Sequence, residues 1–543
     1  MYRDDAVLIV GAGPVGLTLA NDLARRGVPY KIVDSKAGPT EDSKGLAINI
    51  SSQYGLQLAG LGRSIGREGQ SISRLNLHWQ GKRYSSINFS WLPFDIQSLI
   101  TQPQSVTENE LLEQLQLAGK GAVAWGEEVV HIEEQENSVL ATLKRLDGET
   151  YTESYKYLVG CDGKRSLTRE HIQPDFSGVD YDMFFVLGDY ELSLPYDNNE
   201  VQYYIYPDTF FILIPIGQDL WRIVVKYDGE LPESKVSSSE ISSILQTYLN
   251  PEIVLAEPKW ISRAPFYNRV ASSIQSNRVF IAGDAAHLFS PIGGTGMNTG
   301  IQDALNLGWK LAFVHHQMAP ESCLNSYNEE RQPAIKQAAD LSDLSTQLIT
   351  RTITEHSIID QLAPEQGNRK IQSRILPYLH SGLAQKIQLA NSSDEHDAEP
   401  DIGKLSPRVF ALLDEGKIDY LQKNSYWCFI NLELLHGHEE HLNHFLFELE
   451  EDMHIGRVQL VPYCFKSAVQ SKSNALVSFP HIEIEKMSCS DDELSLVELV
   501  RPDGLTQLLS NQLDAKQVRH LVFGSELFNH PSAVQENDYE VLY

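Results

Sequence analysis

Short apolar runs that end at glycine or aspartate recur through the first two thirds of the chain. Residues 6–10 are continuously apolar and are followed by GAGPVG, and residues 30–33 lead directly into Asp34. Residues 157–160 and 279–282 repeat this arrangement before a Cys-Asp-Gly and a Gly-Asp sequence. Runs of this length are typical of strands buried in a parallel sheet. The pattern therefore predicts an α/β fold in which strand ends carry flexible or acidic turns.

Helical periodicity follows several of these turns. Apolar positions 17, 20, 23 and 24 share one helix face, and so do positions 301, 304, 305, 308 and 311. Thr299 and Gln302 have capping-box spacing, which predicts a helix over 299–316, and Thr107 and Glu110 have the same spacing in a further helical segment.

The periodicity changes to alternation, with many aromatic residues, in two other regions. Such alternation is typical of half-exposed strands, so these regions are assigned to a second domain built on a mixed sheet. The predicted organisation is a discontinuous Rossmann-like domain (1–75, 101–175 and 268–345), a substrate-binding sheet domain (76–100 and 176–267), a helical segment and linker (346–399) and a C-terminal domain (400–543).

Charge and composition exclude several classes of partner. The 543-residue chain carries a formal charge of −29, which disfavours nucleic acid and anionic membranes as partners. No apolar run reaches the roughly 18 residues of a membrane helix, and the first residues lead into a strand, so a cytoplasmic protein is expected. The five cysteines form no C-x-x-C pair and are expected to be reduced.

Two further motifs resemble functional sites but fail on spacing or context. Ser64 lies in a G-x-S-x-G sequence, but a helical pattern precedes it where a hydrolase requires a strand, so we interpret it as a loop serine. A histidine cluster near residue 440 lacks the H-E-x-x-H spacing, so we predict a solvated helix face and no metal site; its members are His436, His438, His441 and His444.

The first strand, turn and helix carry a dinucleotide-binding fingerprint. Gly11, Gly13 and Gly16 form G-x-G-x-x-G between the strand and the helix, and Asp34 ends the next strand. In this motif the glycines allow a tight turn and close approach of a pyrophosphate, and the acid bonds ribose hydroxyls. A nucleotide cofactor is therefore predicted.

Three motifs in a fixed order resemble a known family. After the fingerprint come Asp162-Gly163, within YLVGCDGKRSLTR, and Gly283-Asp284, within AGDAAHLFSPIGGTGMN. These strings resemble the "DG" and "GD" motifs of the class A flavoprotein monooxygenases, the single-component, para-hydroxybenzoate-hydroxylase-like aromatic hydroxylases. The family usually has glutamate where this chain has Asp34, and arginine where it has Lys44.

The resemblance implies a non-covalent FAD site. It places Asp284 on the ribityl chain, the stretch from Pro291 to Asn298 against the flavin ring, Lys44 near the pyrophosphate and Gln104 near the flavin chain. The implied cofactor-binding residues are Gly11, Gly13, Pro14, Val15, Gly16, Asp34, Lys44, Gln104, Asp162, Gly163, Gly283, Asp284, Pro291, Gly293, Gly294, Gly296, Met297 and Asn298. By the same analogy, the backbone carbonyl of Pro291 polarises a substrate hydroxyl.

The implied activity is hydroxylation of a phenolic or polycyclic aromatic substrate. NADH or NADPH reduces the FAD, and O2 then forms the flavin C4a-hydroperoxide that hydroxylates the ring. Because only one fingerprint is present, the nicotinamide donor is expected to bind transiently. Tyr204, Phe211 and Arg222 are predicted substrate contacts from the aromatic strands.

Alternative functions remain open at this point. A Baeyer–Villiger or epoxidising enzyme of the same fold is compatible with the motifs, as is a non-catalytic FAD-binding protein. The W-x-W-x-I-P signature of flavin halogenases is absent from the chain. Residues 499–504 resemble the C-terminal thioredoxin-like domain of phenol-hydroxylase-type members, for which we expect a structural or homodimerisation role because it has no cysteine pair.

Overall fold

The fold is described from a computed structural model. It describes residues 3–40, 45–62, 64–92, 96–117, 119, 121–229 and 236–350, and in the C-terminal part 381–382, 406, 424–431, 445, 449, 458–465, 482–484, 497–503, 506–510 and 518. Lys44 and the histidine cluster near residue 440 lie outside these residues.

The secondary structure confirms an α/β chain. Among the described residues, the helices are α1 (Pro14–Arg26), α2 (Ile50–Leu58), α3 (Gln104–Leu117), α4 (Leu167–Ile172), α5 (Ser238–Tyr248), α6 (Thr295–His315) and α7 (Asn325–Thr350). The strands are β1 (Arg3–Val10), β2 (Tyr30–Asp34), β3 (Ala47–Ile48), β4 (Gln70–Ile72), β5 (Arg74–Trp79), β6 (Lys82–Asn88), β7 (Leu99–Thr101), β8 (Ala124–Trp125), β9 (Glu127–Glu134), β10 (Val139–Arg145), β11 (Thr150–Gly160), β12 (Phe176–Glu191), β13 (Glu200–Ile205), β14 (Phe210–Gly217), β15 (Leu220–Asp228), β16 (Trp260–Ala271), β17 (Val279–Ile281), β18 (His287–Leu288), β19 (Tyr426–Asn431), β20 (Val458–Phe465), β21 (Ile482–Ile484), β22 (Val497–Val500) and β23 (Thr506–Ser510). None of the helices in the described ranges has the length and apolar character needed to cross a membrane.

The first sheet places the sequence motifs in one row. Its order is β8-β2-β1-β11-β10-β9, with β17 paired to β11, and β2, β1, β11 and β17 run parallel. Val10 is opposite both Val33 and Gly160, and Gly160 is opposite Ile281. Four strands therefore end at the same level, which is the edge where open α/β sheets bind ligands.

Two helices begin earlier than the capping-box spacing predicted. Helix α6 begins at Thr295, and Gly294 is its N-cap in a left-handed conformation. The Thr299 hydroxyl donates to the Thr295 carbonyl within the helix at 3.0 Å, so Thr299 is not a cap. Helix α3 begins at Gln104, and Thr107 lies inside it. The predicted helix starts at Thr299 and Thr107 are therefore wrong, because threonines inside a helix can have the same spacing to Glu or Gln as a helix cap.

Both faces of the second sheet are apolar, and each packs against different elements. Its order is β18-β16-β12-β15-β14-β13-β5-β6. One face packs on Ile241 and Leu245 of α5. The other face packs on Tyr54 of α2 and on Ile292, which precedes α6. This second face is therefore the one turned towards the strand ends of the first sheet. The domain boundaries drawn from the sequence stay predictions.

The C-terminal part contributes a third sheet that contacts the first domain. In the described residues its order is β21-β20-β19-β22-β23. Arg501 follows β22 and forms a bidentate ion pair with Glu330 of α7 at 2.8 and 2.9 Å. Lys310 of α6 also bonds Glu330, at 2.8 Å, and Trp309 bonds Asp503 at 3.1 Å. A thioredoxin-like fold for this part stays a prediction.

Candidate active site

The loop between β1 and α1 uses its three glycines for different purposes. A Cβ on Gly11, whose φ is +103°, would lie 2.3 Å from the Cys161 carbonyl oxygen, and one on Gly16 would lie 2.0 Å from the Gly11 carbonyl oxygen. A Cβ on Gly13 would meet no atom within 4 Å. Gly11 and Gly16 are therefore required by the packing of the loop, whereas Gly13 borders open space at the start of α1.

The same helix start offers unpaired backbone donors to that space. Gly13 is the N-cap of α1 and no side chain caps the helix, while Pro14 occupies the first helical position. The first N–H groups of a helix and its dipole together favour an anion. A pyrophosphate above Gly13 matches both the open volume and the charge.

Asp34 lies beside this loop at the end of β2. Its Oδ2 accepts a hydrogen bond from the Ala12 backbone N–H at 2.8 Å, and its Oδ1 accepts one from Lys36 N–H at 2.9 Å. The residue is 8% exposed. A carboxylate has about four acceptor sites, so ribose hydroxyls can still be bound.

Asp162 has a structural use that the sequence did not indicate. Its carboxylate accepts hydrogen bonds from the Ser166 hydroxyl at 2.5 Å and from the Thr168 N–H and hydroxyl, both at 3.0 Å. These contacts hold the start of α4. Gly163 has φ of +74° and open space beyond its Cα, so the backbone of this turn is what is accessible to a cofactor.

The Gly283-Asp284 turn meets the starts of α1 and α6. A Cβ on Gly283, whose φ is +61°, would lie 2.8 Å from Val15 Cγ2, and one on Gly300 would lie 2.5 Å from the same atom. Asp284 is exposed beside these contacts, in a 3-10 turn that spans Gly283–Ala285. Arg169 links this turn to the Asp162 turn by donating to the carbonyls of Ala285 at 3.0 Å and Lys164 at 2.7 Å.

The glycine-rich loop leads into the uncapped start of α6. Gly293 and Gly294 have φ of +86° and +63°, which only glycine adopts readily. Gly296 and Met297 lie in the first helical turn. The Pro291 carbonyl accepts a hydrogen bond from Gly294 N–H at 3.1 Å, so a substrate hydroxyl would have to use its second lone pair.

Two polar side chains join this loop to the rest of the site. Asn298 donates to the carbonyls of Ala47 at 2.8 Å and Gly294 at 2.6 Å, and it accepts from Asn49 N–H at 2.9 Å. Gln104 accepts from Gly45 N–H at 2.8 Å. A Cβ on Gly45 would lie 3.4 Å from the Met297 sulfur. Gly45 and its partner Gln104 therefore lie close to the start of α6.

A family model described as an FAD binding domain matches residues 4–342, which include every motif of this site. The chain belongs to the class A flavoprotein monooxygenases. The residues present fit FAD, because Gly13 leaves room for the pyrophosphate and two uncapped helix starts face the strand ends. The individual cofactor contacts remain predictions.

Relatives of this chain include proteins that are named as monooxygenases. Pentachlorophenol 4-monooxygenase of Sphingobium chlorophenolicum is 30% identical over 405 residues, covering 73% of this chain and 69% of the relative. Rifampicin monooxygenase of Streptomyces venezuelae is 30% identical over 354 residues, covering 63% and 71%. The structure of aklavinone-11 hydroxylase with FAD and aklavinone has a TM-score of 0.73 at 21% identity and covers 96% of this chain and 99% of that one. At this identity the last likeness shows the fold alone.

Two of the predicted substrate residues of this monooxygenase lie on the wrong face of the second sheet. Tyr204 and Phe211 are 5% and 0% exposed and stack at 4.8 Å within the cluster that packs on α5. The structure therefore argues against a substrate role for them. The reason is strand alternation, since neighbouring residues of a strand point to opposite faces and the sequence does not reveal which face is covered by α5.

Arg222 also departs from its predicted role. It is 1% exposed and forms a bidentate pair with Asp189 at 2.6 and 2.8 Å. Its guanidinium lies 4.6 Å from the centre of the Trp260 ring. A buried, fully paired guanidinium is a structural group, and breaking the pair to bind substrate would leave Asp189 uncompensated.

Tyr203 is the aromatic residue that the sequence argument missed. It is partly buried, packs on the face that carries Ile292, and stacks on Phe210 at 6.3 Å. Within the described residues its hydroxyl has no hydrogen-bond partner, and burial raises the pKa of Tyr203 to about 12. The alternation of side chains along β13 puts Tyr203 and Tyr204 on opposite faces of the sheet. It shows which of them faces Ile292 only once the face covered by α5 is known.

Proposed function

We propose that this protein hydroxylates a phenolic or polycyclic aromatic substrate with non-covalently bound FAD, NADH or NADPH as electron donor, and O2. The observation that carries the proposal is the row of strand ends in the first sheet. It brings the fingerprint loop, Asp34, Asp162 and the Gly283-Asp284 turn together between the starts of α1 and α6.

The chain has a separate group for each part of the cofactor. The start of α1 above Gly13 would hold the pyrophosphate, Asp34 the adenosine ribose and Asp284 the ribityl chain. The start of α6 would stabilise negative charge on the reduced ring system through its N–H groups and dipole. Bound FAD supplies hydride acceptance and oxygen activation.

The face of the second sheet that packs on Ile292 supports an aromatic substrate. Phe185, Phe210, Phe266 and Ile212 are 0–4% exposed there and pack in one cluster with Ile292 of the loop before α6. Side chains this buried would not contact the substrate themselves, but they form the apolar layer behind Tyr203 that would support a planar ring and exclude water from the reacting atoms. Tyr203 adds a hydroxyl that could bond a substrate oxygen, which favours a phenol over a hydrocarbon.

Exposed cations beside the Asp162-Gly163 turn support a transient nicotinamide donor. Lys164 and Arg165 are exposed, and the Lys164 ammonium lies 3.8 Å from the centre of the Tyr267 ring. Cations at this position would attract the phosphates of NADH or NADPH without a second fingerprint loop.

The test is turnover by the FAD-loaded protein with a panel of phenols, polycyclic quinones and indoles. NADH and NADPH oxidation is followed at 340 nm together with oxygen uptake, and products are analysed by mass spectrometry. Hydroxylation predicts substrate-stimulated oxidation of the donor and a product with one added oxygen on a ring carbon. Oxidation of the donor that no bound compound accelerates would refute the proposal and indicate an oxidase.

The same experiment separates the other candidates. Insertion of oxygen beside a carbonyl, or across a double bond, would identify a Baeyer–Villiger or epoxidising enzyme. FAD binding without any donor oxidation would identify a non-catalytic flavoprotein. A homodimer stays a prediction, which light scattering on the full chain would check.

A further inference from the structure

A buried carboxylate on α6 lies directly behind the Gly283-Asp284 turn. Asp303 Oδ2 accepts from the Gly283 backbone N–H at 3.1 Å and is 2.9 Å from His287 Nε2, and its Oδ1 accepts from Arg331 Nε at 2.8 Å. Asp303, His287 and Arg331 are all 0% exposed. The contacts span β18, α6 and α7, and none of the three residues lines the open space above Gly13.

The carboxylate of Asp303 is ionised in this cluster. Burial alone would raise its pKa, but Arg331 and His287 outweigh burial, so the pKa of Asp303 is held below its usual value. An ionised carboxylate only accepts hydrogen bonds. His287 therefore donates from Nε2, and all three groups around Asp303 are donors.

We propose that Asp303 is a positioning residue for flavin binding, acting through the Gly283 N–H and held in place by Arg331. This inference rests on the proposed FAD site. Gly283 has a φ of +61°, and its N–H fixes the turn that presents Asp284. Because Asp284 is the next residue, a rotation of the Gly283 peptide would move the group expected to hold the ribityl chain.

The same cluster fixes the other side of the flavin site. Arg331 Nη2 donates to the Thr299 carbonyl at 3.3 Å, in the first turns of α6. Tyr327, one turn earlier on α7, donates to the Ile281 carbonyl at 2.8 Å, at the end of β17. Helix α7 therefore sets the distance between the Gly283-Asp284 turn and the start of α6, although it contributes no group to the site itself.

Asp303→Asn tests the positioning role with a minimal change of shape. Asparagine has one acceptor oxygen and one donor amide, but three donors face this position. If the asparagine oxygen turns to Arg331, its amide group faces His287 and Gly283. His287 can change tautomer and accept a hydrogen bond from the amide, but the Gly283 N–H loses its acceptor. We expect the FAD dissociation constant to rise about tenfold or more, with a changed visible spectrum and a shifted reduction potential of the bound flavin.

Asp22→Asn is the matched control. Asp22 is also 0% exposed and accepts from a buried arginine, Arg26, at 2.8 Å, but it lies in the middle of α1 away from the Gly283 turn. Both variants lose a buried negative charge of the same domain. The control should lower the thermal midpoint but leave the affinity for FAD, the flavin spectrum and the potential as in the unmodified protein.

Three outcomes decide the inference. A change in affinity and spectrum with Asp303→Asn alone supports positioning. Equal effects of Asp303→Asn and Asp22→Asn on all three flavin readouts would overturn it, leaving Asp303 a structural group. Failure of the unmodified protein to bind FAD would instead refute the proposed function.

A second pair keeps the inference testable if Asp303→Asn does not fold. Arg331→Lys retains the charge but cannot bond both Asp303 and the Thr299 carbonyl with the geometry of a guanidinium. It should weaken FAD binding several-fold, whereas Arg26→Lys, which alters the control pair, should not. Equal affinities in these two lysine variants would overturn the positioning role.

Discussion

Replacing Gly13 with alanine should weaken FAD binding about tenfold or more without unfolding the protein. Gly13 has φ −78° and ψ −177°, which alanine adopts, and a Cβ there meets no protein atom within 4 Å. A compatible Gly→Ala change stabilises by about 0.4–1 kcal/mol through the unfolded state. The loss of a preferred N-cap residue opposes this by a similar amount. The free energy of unfolding should therefore change by less than about 1 kcal/mol.

The effect on the cofactor should be much larger. The added methyl group occupies the space where the pyrophosphate approaches the start of α1, so the phosphate moves away from the N–H groups. Each hydrogen bond to a charged group contributes about 1.5–3 kcal/mol, so losing one weakens FAD binding by at least about tenfold.

Gly16→Ala is the comparison variant, because it should destabilise the apoprotein whereas Gly13→Ala should not. Its Cβ would lie 2.0 Å from the Gly11 carbonyl oxygen, so the loop or α1 must shift. Overpacking of this kind typically costs about 1–3 kcal/mol, so the thermal midpoint of the apoprotein should fall.

The assay combines circular dichroism melts of the apoproteins with fluorescence titration of FAD. An unchanged FAD affinity in Gly13→Ala would refute the placement of the pyrophosphate. A Gly16→Ala protein as stable as the unmodified one would refute the packing of the loop on α1.

Three further predictions concern the substrate face, the ribose contact and acid stability. Tyr203→Phe should raise KM for a phenolic substrate several-fold at unchanged thermal midpoint, whereas Tyr204→Phe should leave KM unchanged; equal KM values would remove Tyr203 from the site. Asp34→Ala should weaken FAD binding about tenfold in the same titration, since it removes a buried acceptor. Burial alone would raise the pKa of Glu330, but Arg501 and Lys310 outweigh it and lower it from 4.5 to about 2. The folded pKa is thus below the unfolded one, so this stabilisation is present above about pH 4.5 and is lost as pH falls towards 2. Acid unfolding followed by circular dichroism should show a smaller loss over this range in Arg501→Met, which should also be less stable at neutral pH.

The cofactor motifs could be found from the sequence because each depends on neighbouring residues. A short apolar strand followed by Gly11, Gly13 and Gly16 specifies a tight turn, because Gly11 and Gly16 leave no room for a side chain, and helix α1 follows within the same motif. Strand ends then meet at one sheet edge by the general rules of parallel sheets. The α/β fold and the family were predicted on this basis, and both are confirmed.

The start of α6 and the substrate face depended on contacts that no local pattern contains. Helix α6 starts after Gly294 because the left-handed conformation of this residue turns the chain into the helix, whereas Thr299 lies inside the helix and caps nothing. Tyr203 and Tyr204 are adjacent and chemically identical in the sequence. Only the packing of α5 on one face of the sheet directs Tyr204 into a core and Tyr203 to the opposite face, which packs on Ile292.

Long-range ion pairs were likewise decided by the tertiary structure alone. Asp303 and Arg331 are 28 residues apart, and Glu330 and Arg501 are 171 apart. A charged side chain is usually solvated, so sequence patterns favour exposure for each of them. They are buried because helices α6 and α7 and the turn after β22 pack together, and each buried charge is stable there only because another segment supplies its partner.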